Sequence, residues 1–330
     1  MSRILVLGAS GFVGRNAAEW FANKGHEVVR HGLNRASYSY PDEKWIKADL
    51  LAPKAVDYES FDVVIQCAAA TSGCKDTLLD PALHIANNAV MNSYVLKECA
   101  AAKVKHVIFP SCSVMFESKD FPQKETDWDG GKPLNPAYLG FASTKIYCEN
   151  LCQFYANISD TKFTVMRSTN YYGQYDKYDP DKSHVFGATV RKVMAAQKPR
   201  LDMNAGEAAA RYEDESKIVV WGTGNEARDF LHIDNFCSFV EAAIEKQTAK
   251  YALYNVGSGT AVKINELVQA IINHSGKQLT IEHDLSKPTI PTSLCLDTSK
   301  AKAELGWEPT VSLYGGIGLT VAWYKENYAG

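Results

Sequence analysis

A glycine-rich turn near the N-terminus constrains the fold of this chain more than any other feature. The apolar run at residues 4–7 leads directly into Gly8-Ala9-Ser10-Gly11-Phe12-Val13-Gly14, and a helical pattern follows over residues 14–24. A G-x-x-G-x-x-G turn between a strand and a helix is typical of a dinucleotide-binding unit, in which backbone N–H groups approach a pyrophosphate at the helix N-terminus. The sequence therefore predicts a dinucleotide cofactor bound by Gly8, Ser10, Gly11, Phe12, Val13 and Gly14.

The first half of the chain alternates short β-branched runs with longer helical patterns. We predict strands over residues 4–7, 27–30, 62–67, 106–110 and 163–168, and helices over residues 14–24, 87–102 and 138–156. This alternation is typical of βαβ units that build a parallel sheet. The expected fold class is therefore α/β, with a Rossmann-type doubly wound parallel sheet.

The pattern changes after about Asn170, where residues 171–180 form a turn-rich aromatic and polar stretch. We expect a dinucleotide-binding domain at residues 1–170, with returning segments near 230–260, and a smaller C-terminal α/β lobe, mainly at residues 171–330, that binds the substrate. For this second half we predict helices over 185–197, 233–246, 264–274 and 314–328, and strands over 218–221, 253–256 and 279–283. We interpret residues 204–216 as an exposed insertion.

Composition limits the class of partner. Lys and Arg total 35 against 38 Asp and Glu, so no basic surplus favours nucleic acid or an anionic membrane as partner. The sequence shows no signal-peptide pattern and no run of about 18 apolar residues, so we expect a cytoplasmic protein. The eight cysteines have no metal-ligand spacing, and we expect reduced thiols and no metal site.

The end of the second predicted strand determines the choice of cofactor. In NAD-binding units an acidic residue about 20 residues after the turn holds the ribose 2′-hydroxyl. Here the tract Val28-Val29-Arg30-His31-Gly32-Leu33-Asn34-Arg35 contains no acid. Gly32 leaves room for an added phosphate, and Asn34 and Arg35 can donate hydrogen bonds to it. The tract favours NADP, with NAD as the alternative.

Further motifs extend over nearly the whole chain. They are Ala48-Asp49-Leu50, Cys67-Ala68-Ala69-Ala70, Asn88, Pro110-Ser111-Cys112-Ser113-Val114-Met115, Lys145, Arg167-Ser168-Thr169-Asn170-Tyr171-Tyr172-Gly173, His184, Trp221-Gly222-Thr223-Gly224 and Arg228-Asp229-Phe230. With these motifs the chain resembles the extended short-chain dehydrogenase/reductase family of nucleotide-sugar epimerases and reductases, and it is most similar to the GDP-fucose synthase branch.

The resemblance implies the positions of several ligand contacts. It places Asp49 at the adenine and Leu50, Ala68, Ala69 and Lys145 at the cofactor. It places Trp221 and Arg228 by the base and diphosphate of a nucleotide-sugar, Lys192 or Arg191 near the diphosphate, and His184 at the reacting sugar. Asn170 follows a strand end, where ligand contacts are usual in open α/β sheets. The resemblance also implies a homodimer formed by the helices at residues 87–102 and 138–156.

The catalytic positions match the family pattern with one exception. Family members use a Ser or Thr together with a Tyr-x-x-x-Lys pair, in which the lysine lowers the pKa of the tyrosine and the phenol exchanges a proton with the sugar C4 oxygen. Ser111 and Lys145 match the serine and the lysine. The position four residues before Lys145 is Phe141, which cannot transfer a proton.

Three explanations for Phe141 are open. A substitution of Phe for Tyr could have been introduced to trap bound substrate. A natural variant could use Tyr138, Ser111 or another group as the acid. The chain could also be an inactive relative that binds NADP(H) or a nucleotide-sugar without converting it. Intact Ser111 and Lys145 count against the third explanation.

The residues after Ser111 narrow the reaction. Family dehydratases have an Asp-Glu pair there, and this chain has Cys112 and Ser113, so we expect no dehydration. In GDP-fucose synthases the epimerisation base is a cysteine at the position of Ser113, and a serine is a poor base near neutral pH. Adjacent side chains of an extended segment point to opposite sides, so we expect Cys112 not to replace it. The remaining reactions are NADPH-dependent reduction at C4 of a 4-keto-6-deoxy sugar or 4-epimerisation; an NAD-dependent epimerase or dehydrogenase is the alternative.

Overall fold

A parallel sheet forms the centre of the computed structural model, which describes residues 1–34, 43–70, 82, 85–179, 183–196, 216–287 and 289–328. The described strands are β1 (Arg3–Leu7), β2 (Glu27–Gly32), β3 (Lys44–Lys47), β4 (Val63–Gln66), β5 (His106–Pro110), β6 (Lys162–Ser168), β7 (Asn170–Tyr172), β8 (Lys217–Trp221), β9 (Ala227–Arg228), β10 (Phe230–His232), β11 (Tyr251–Val256), β12 (Val262–Lys263), β13 (Thr280–Asp284) and β14 (Ser293–Leu294). Seven of these strands build the large sheet, in the order β11-β6-β5-β4-β1-β2-β3. Each pair of neighbours in it is parallel.

The strand order places a topological switch between β1 and β4. The chain builds one half of the sheet from β1 outward to β3 and then returns to build the other half, starting with β4 beside β1. Ligands of such sheets bind at this switch, outside the carboxyl ends of the strands. The predicted doubly wound sheet is therefore confirmed, and the glycine turn after β1 lies at the expected edge.

Helices cover both faces of the large sheet. The described helices are α1 (Phe12–Asn23), α2 (Ile85–Ala101), α3 (Leu139–Ile158), α4 (Val185–Ala195), α5 (Ile233–Lys246), α6 (Ile264–Ser275), α7 (Ser299–Leu305) and α8 (Leu313–Tyr328). On one face α1, α5 and α7 share a core with side chains of β1 and β11. On the other face α2 and α3 pack against β1, β4, β5 and β6. None of the helices described is long and apolar enough to cross a membrane.

A third core belongs to the C-terminal half. There α4, α6 and α8 pack around the small strand pairs β7–β10 and β8–β13, with Tyr172, Phe186 and Phe230 among the buried side chains. β11 and α5 instead join the large sheet and its helices. The smaller mixed α/β region therefore contains most of the residues that follow β6 in the chain. The exceptions include those of β11 and α5.

Sequence patterns located the long elements within a few residues but missed short ones. β3, β7, β9, β10, β12, β14 and α7 were not predicted. Five of them, β7, β9, β10, β12 and β14, have only two or three residues, which is too short for an apolar period to be recognised, whereas β3 has four residues and α7 has seven. The strand β7 begins the stretch that we interpreted as turn-rich. Most of the interpreted insertion at residues 204–216 lies outside the described residues.

Candidate active site

The three glycines of the turn have different structural roles. Gly8 has φ +72°, and a Cβ atom there would lie 2.6 Å from the Cα atom of Ala68. A Cβ atom at Gly14 would lie 2.7 Å from the carbonyl carbon of Gly8. At Gly11 the nearest atom is the Gly8 oxygen at 3.4 Å, and Gly11 is exposed. Packing within the protein therefore requires glycine at 8 and 14, whereas the space at Gly11 is open to a ligand.

The first turn of α1 presents donors to that space. Gly11 is the N-cap of α1, and its N–H donates to the Gly8 oxygen at 3.0 Å. No side chain caps this helix end. The N–H groups of Phe12 and Val13 are among the first in the helix, where intrahelical acceptors are absent. This arrangement suits an anion such as a pyrophosphate.

The end of β2 has no room for an acidic side chain. A Cβ atom at Gly32 would lie 2.7 Å from the backbone oxygen of Asn34 and 3.3 Å from Ser10 Oγ. Asn34 is exposed. Arg35, the other residue predicted to hold a 2′-phosphate, lies outside the described residues. The local backbone therefore excludes a side chain of any type at Gly32, and it also fills the space directly beside Gly32 in which we expected room for a phosphate.

A buried histidine that sequence reasoning did not identify links the turn to the predicted adenine contact. The N–H of Gly8 donates to His31 Nδ1 at 3.5 Å, and His31 Nε2 lies 3.1 Å from the oxygen of Ala48. Burial lowers the pKa of His31, and a neutral ring with the proton on Nε2 satisfies both contacts. Asp49 is exposed, with Oδ1 accepting from the N–H of Leu51 at 3.0 Å. Leu50 is buried in the core.

The segment after β4 is held against the glycine turn. Ala68 is the residue that a side chain at Gly8 would meet. Two residues later, Ala70 exchanges two hydrogen bonds of 2.9 Å with the side-chain amide of Asn88 on α2. Ala69 lies exposed between them. The motif residue Asn88 therefore fixes the backbone beside the expected cofactor position.

Ser111 directs its hydroxyl into the protein. Its Oγ donates to Glu149 Oε1 at 2.5 Å, and Glu149 is paired with Arg167, whose Nη2 lies 2.8 Å from Oε2. Both charged side chains are almost fully buried, at 4% and 6% exposure. Arg167 also lies over the rings of Phe116 and Trp128. Ser111 is not among the residues that line the cavity beside Phe141, and its catalytic role stays a prediction.

That cavity, which we call the reaction cavity, has a volume of about 700 Å³. It lies beyond the carboxyl ends of β5 and β6. Its lining includes Cys112, Ser113, Tyr138, Phe141, Ser168, Thr169, Asn170, His184 and Arg228, together with an apolar wall that includes Val114, Leu134 and Leu294. Lys145 lies beside it on α3, where its Nζ donates to the oxygen of Pro110 at 2.7 Å.

Cys112 and Ser113 both line the reaction cavity, contrary to the expected alternation. β5 ends at Pro110, and the chain then turns, with the N–H of Phe116 donating to the Ser113 oxygen at 3.1 Å. Alternation applies only to an extended strand, so it does not separate these two residues. Burial raises the pKa of Cys112 to about 12, which leaves a neutral thiol near pH 7.

A second hollow adjoins the reaction cavity and has a volume of about 510 Å³; we call it the nucleotide cleft, after the ligand that the resemblance implies. Asn170, Lys192, Trp221 and Arg228, all predicted substrate contacts, line it. The two hollows share Tyr138, Asn170, His184, Arg228 and Ile290. One elongated ligand can therefore occupy both.

The cleft is basic and has an aromatic edge. Arg228 is held by the backbone oxygens of Thr292 and Ile290, at 2.6 and 2.8 Å. Lys192 donates to the oxygen of Val219 at 3.1 Å, and burial lowers its pKa. Trp221 is 42% exposed at the end of β8, with Lys287 Nζ 5.9 Å from its ring centre.

His184 stands where the two hollows meet. It is the N-cap residue of α4, it is exposed, and it lines both hollows. Desolvation, with a smaller contribution from the charge of Lys177, lowers its pKa. A neutral imidazole there can donate one hydrogen bond and accept another.

Sequence reasoning missed two charged residues of the cleft, Glu226 and Lys287, and did not place Tyr138 in it. Glu226 follows the motif Trp221-Gly222-Thr223-Gly224, and only the fold of that turn shows that its side chain reaches the ligand space. Tyr138 ends a short 3₁₀ turn, Pro136–Tyr138, directly before α3. It lies one helical turn before Phe141.

Comparison with known proteins decides the family. Residues 4–257 match the model of the "NAD dependent epimerase/dehydratase family", which is more than half of the chain. The chain belongs to the NAD-dependent epimerase/dehydratase family. Members of this family are NAD(P)-dependent nucleotide-sugar oxidoreductases and epimerases.

Two curated relatives and one solved structure illustrate the similarity. A putative GDP-L-fucose synthase 2 of Arabidopsis thaliana is 32% identical over 82% of this chain and 80% of its own length. A GDP-L-colitose synthase of Yersinia pseudotuberculosis is 25% identical over 98% of both chains. A UDP-glucose 4-epimerase of Thermotoga maritima, crystallised with UDP-glucose, has a TM-score of 0.80 and 22% identity over 98% of this chain and 99% of its own. At that identity the crystal structure supports the fold alone.

The residues present fit the family's NAD(P) cofactor. The absence of side chains at Gly8 and Gly14 lets the turn pack closely. The absence of a side chain at Gly11 leaves open space beside the first N–H groups of α1. Ala68 lies against Gly8, and Lys145 Nζ donates to the oxygen of Pro110, the last residue of β5, beyond which the reaction cavity lies. The family's cofactor position and the two hollows are thus adjacent at one edge of the sheet.

Proposed function

We propose that this protein is an NADP-dependent C4 ketoreductase or epimerase of a nucleoside-diphosphate 4-keto-6-deoxy sugar, with guanosine diphosphate as the nucleotide. The observation that supports this most directly is the continuity of the reaction cavity with the nucleotide cleft at Asn170, His184 and Arg228. The names of the relatives, GDP-L-fucose synthases and a GDP-L-colitose synthase, support the choice of nucleotide and sugar class.

In this proposal the glycine turn and the segment after β4 hold NADP. Gly8, Ser10, Gly11, Phe12, Val13 and Gly14 surround the pyrophosphate, Asn34 and Arg35 the 2′-phosphate, Asp49 and Leu50 the adenine, and Ala68, Ala69 and Lys145 the nicotinamide half. The bound cofactor supplies or accepts hydride at the sugar. The absence of an acid from residues 28–35 supports NADP over NAD.

The nucleotide cleft holds the nucleoside diphosphate. Arg228 and Lys192 provide positive charge for the diphosphate, and each charged hydrogen bond contributes about 1.5–3 kcal/mol. Trp221 offers a ring face to the base. The sugar then lies in the reaction cavity, where Asn170, His184 and Ser113 offer hydrogen bonds to its hydroxyl groups.

The missing phenol at Phe141 limits turnover in this proposal. Phe141 packs among apolar side chains, including Leu134 and Ile146. We propose that Tyr138, whose side chain lines both hollows, supplies the proton at C4 less effectively. A well-placed general acid contributes about 10²–10⁴-fold to a rate. Epimerisation at C3 and C5 is not part of the proposal, because Ser113 is a weak base and Cys112 stays protonated.

The test is the variant Phe141→Tyr. We expect it to raise NADPH consumption with a GDP-linked 4-keto-6-deoxyhexose about 10²–10⁴-fold, because the restored phenol lies one turn from Lys145. The residual activity of the unaltered chain should disappear in Tyr138→Phe, while Tyr138→Phe combined with Phe141→Tyr should remain active. Lys145→Ala should abolish the activity that Phe141→Tyr restores.

A second candidate function, favoured by Phe141 alone, is a protein that binds NADP(H) or a nucleotide-sugar without converting it. Calorimetric titration separates the two. Binding of NADP and of GDP with no turnover in Phe141→Tyr would favour the binding protein. Absence of binding by any nucleoside diphosphate would contradict both functions.

A further inference from the structure

We infer that Glu226 recognises the guanine base in the nucleotide cleft; this inference rests on the proposed function and assigns a residue to its nucleotide specificity. Glu226 lines the cleft together with Trp221 and three cationic side chains, Lys192, Arg228 and Lys287. The cations suit a diphosphate. A carboxylate in the same cleft opposes diphosphate binding unless it faces a donor of the ligand.

A tight turn brings Glu226 next to Trp221. β8 ends at Trp221, and two glycines in the left-handed region, Gly222 with φ +69° and Gly224 with φ +67°, reverse the chain before β9. As a result Glu226 Oε1 lies 3.4 Å from the position that a Cβ atom of Gly222 would occupy. The indole ring and the carboxylate therefore border the same end of the cleft.

The carboxylate of Glu226 has no polar partner among the residues that the structure describes. Within the part of the chain that the structure describes, its backbone oxygen accepts from the N–H of Ile264 at 3.0 Å, but its side chain has no hydrogen bond or ion pair. The side chain is half-buried. A half-buried carboxylate without a partner has a desolvation cost, which a ligand with suitable donors would offset.

Hydrogen-bonding chemistry selects guanine among the bases. An ionised carboxylate only accepts hydrogen bonds, and its two oxygens fit two adjacent donors. On its Watson–Crick edge guanine presents N1–H beside the N2 amino group, which are two such donors. Uracil and thymine present a single N–H between two carbonyl oxygens, which the carboxylate would repel. In cytosine and adenine the amino group lies beside an acceptor nitrogen. Stacking on Trp221 does not depend on the identity of the base, so it adds affinity for any base.

Calorimetric titration with GDP, inosine diphosphate and UDP tests the inference on the full chain in the presence of NADP. Inosine diphosphate lacks only the N2 amino group. We expect GDP to bind about tenfold or more tightly than inosine diphosphate, because one charged hydrogen bond is lost. In Glu226→Gln the two affinities should come within about threefold of each other, and UDP should bind more tightly than to the unaltered chain.

Glu282→Gln is the matched control, because it removes the same charge from the exposed strand β13, where Glu282 pairs with Lys217. It should keep the ratio of GDP to inosine diphosphate. Equal affinity of the unaltered chain for GDP and inosine diphosphate would overturn the inference and leave the proposed function standing. An equal loss of affinity for all three nucleotides in Glu226→Gln would also overturn the inference, because it would assign Glu226 to the ribose hydroxyls. Absence of binding by any of them would overturn the inference together with the proposed function.

Discussion

The glycines of the turn occupy equivalent places in the sequence motif but differ in their packing. Gly14 has no room for a methyl group because the Gly8 carbonyl lies against it, whereas Gly11 has ordinary van der Waals space and a φ of −93° that any residue adopts. Glycine at 14 therefore serves the fold. Glycine at 11 leaves the backbone open to a ligand.

This difference predicts opposite effects for two matched substitutions. Gly11→Ala should weaken NADP binding about tenfold or more, because its methyl group occupies the pyrophosphate space, and should change the free energy of unfolding by less than about 0.5 kcal/mol. Gly14→Ala should destabilise the protein by about 1–3 kcal/mol, because the helix must move away from the strand. Urea unfolding and NADP titration measure both quantities. Unchanged NADP affinity in Gly11→Ala would show that the cofactor lies elsewhere.

The segment at residues 173–179, which follows β7, packs into the C-terminal core. Its residue Tyr178 donates to the Gly173 oxygen at 2.9 Å, and Asp176 is buried against the first turn of α4. Asp176 Oδ1 accepts from the N–H of Lys177 at 2.7 Å, whereas Oδ2 has no partner among the described residues. Desolvation raises the pKa of Asp176 to about 7.

The raised pKa predicts a pH dependence of stability. The folded state keeps the proton of Asp176 up to about pH 7, while the unfolded state releases it near pH 3.8, the ordinary value. This contribution is complete below pH 3.8 and is lost as the pH rises through about 7. Between pH 5 and pH 8 the unaltered chain should lose roughly 2 kcal/mol of stability relative to Asp176→Asn.

Urea unfolding of both proteins at the two pH values measures this difference. The comparison between proteins is necessary because buried neutral histidines act in the opposite direction: His106, whose pKa burial lowers to about 3, destabilises the fold as the pH falls below its ordinary value. Equal pH dependence of the two proteins would show that Asp176 does not retain its proton.

On the scale of the whole molecule, an apolar stripe remains exposed on the face opposite α1. Leu139, Tyr147, Phe154 and Ile158 of α3 are all exposed at spacings that place them on one side of the helix, and Val90 of α2 lies exposed on the neighbouring helix. The hydroxyl oxygens of Tyr147 and Ser93 lie 3.0 Å apart and connect the two helices. We propose that two copies of the chain pair through this face.

Sedimentation analysis tests this pairing. Phe154→Glu should shift the chain from dimer to monomer and raise the dissociation constant about 100-fold or more, because a charge would be desolvated in the interface. Leu285→Glu is the control, since Leu285 is 71% exposed and lies outside α2 and α3. A monomeric unaltered chain, or a dimer that tolerates Phe154→Glu, would contradict the proposal.

The sequence by itself predicted six of the seven strands of the large sheet and located the glycine turn. Apolar runs of four to seven residues, long helical periods and the spacing of Gly8, Gly11 and Gly14 are local patterns, and local patterns predict local structure. The resemblance placed Lys192, Trp221 and Arg228 at a nucleotide-sugar, and the structure brings them together with Asn170 around one cleft, where their role as substrate contacts stays a prediction. Short strands such as β9 and β12 could not be predicted because pairing partners distant in sequence define them.

Tertiary structure alone decided which side chains face the ligand space. Ser111 lies in a catalytic motif, yet its hydroxyl is bound by Glu149, which comes from a different element. Cys112 and Ser113 share a cavity because the chain turns after Pro110. Glu226 belongs to no predicted site and reaches the cleft only because the chain reverses at Gly222 and Gly224. Side-chain direction depends on contacts between segments far apart in the sequence, and the periodicity of a single segment does not contain those contacts.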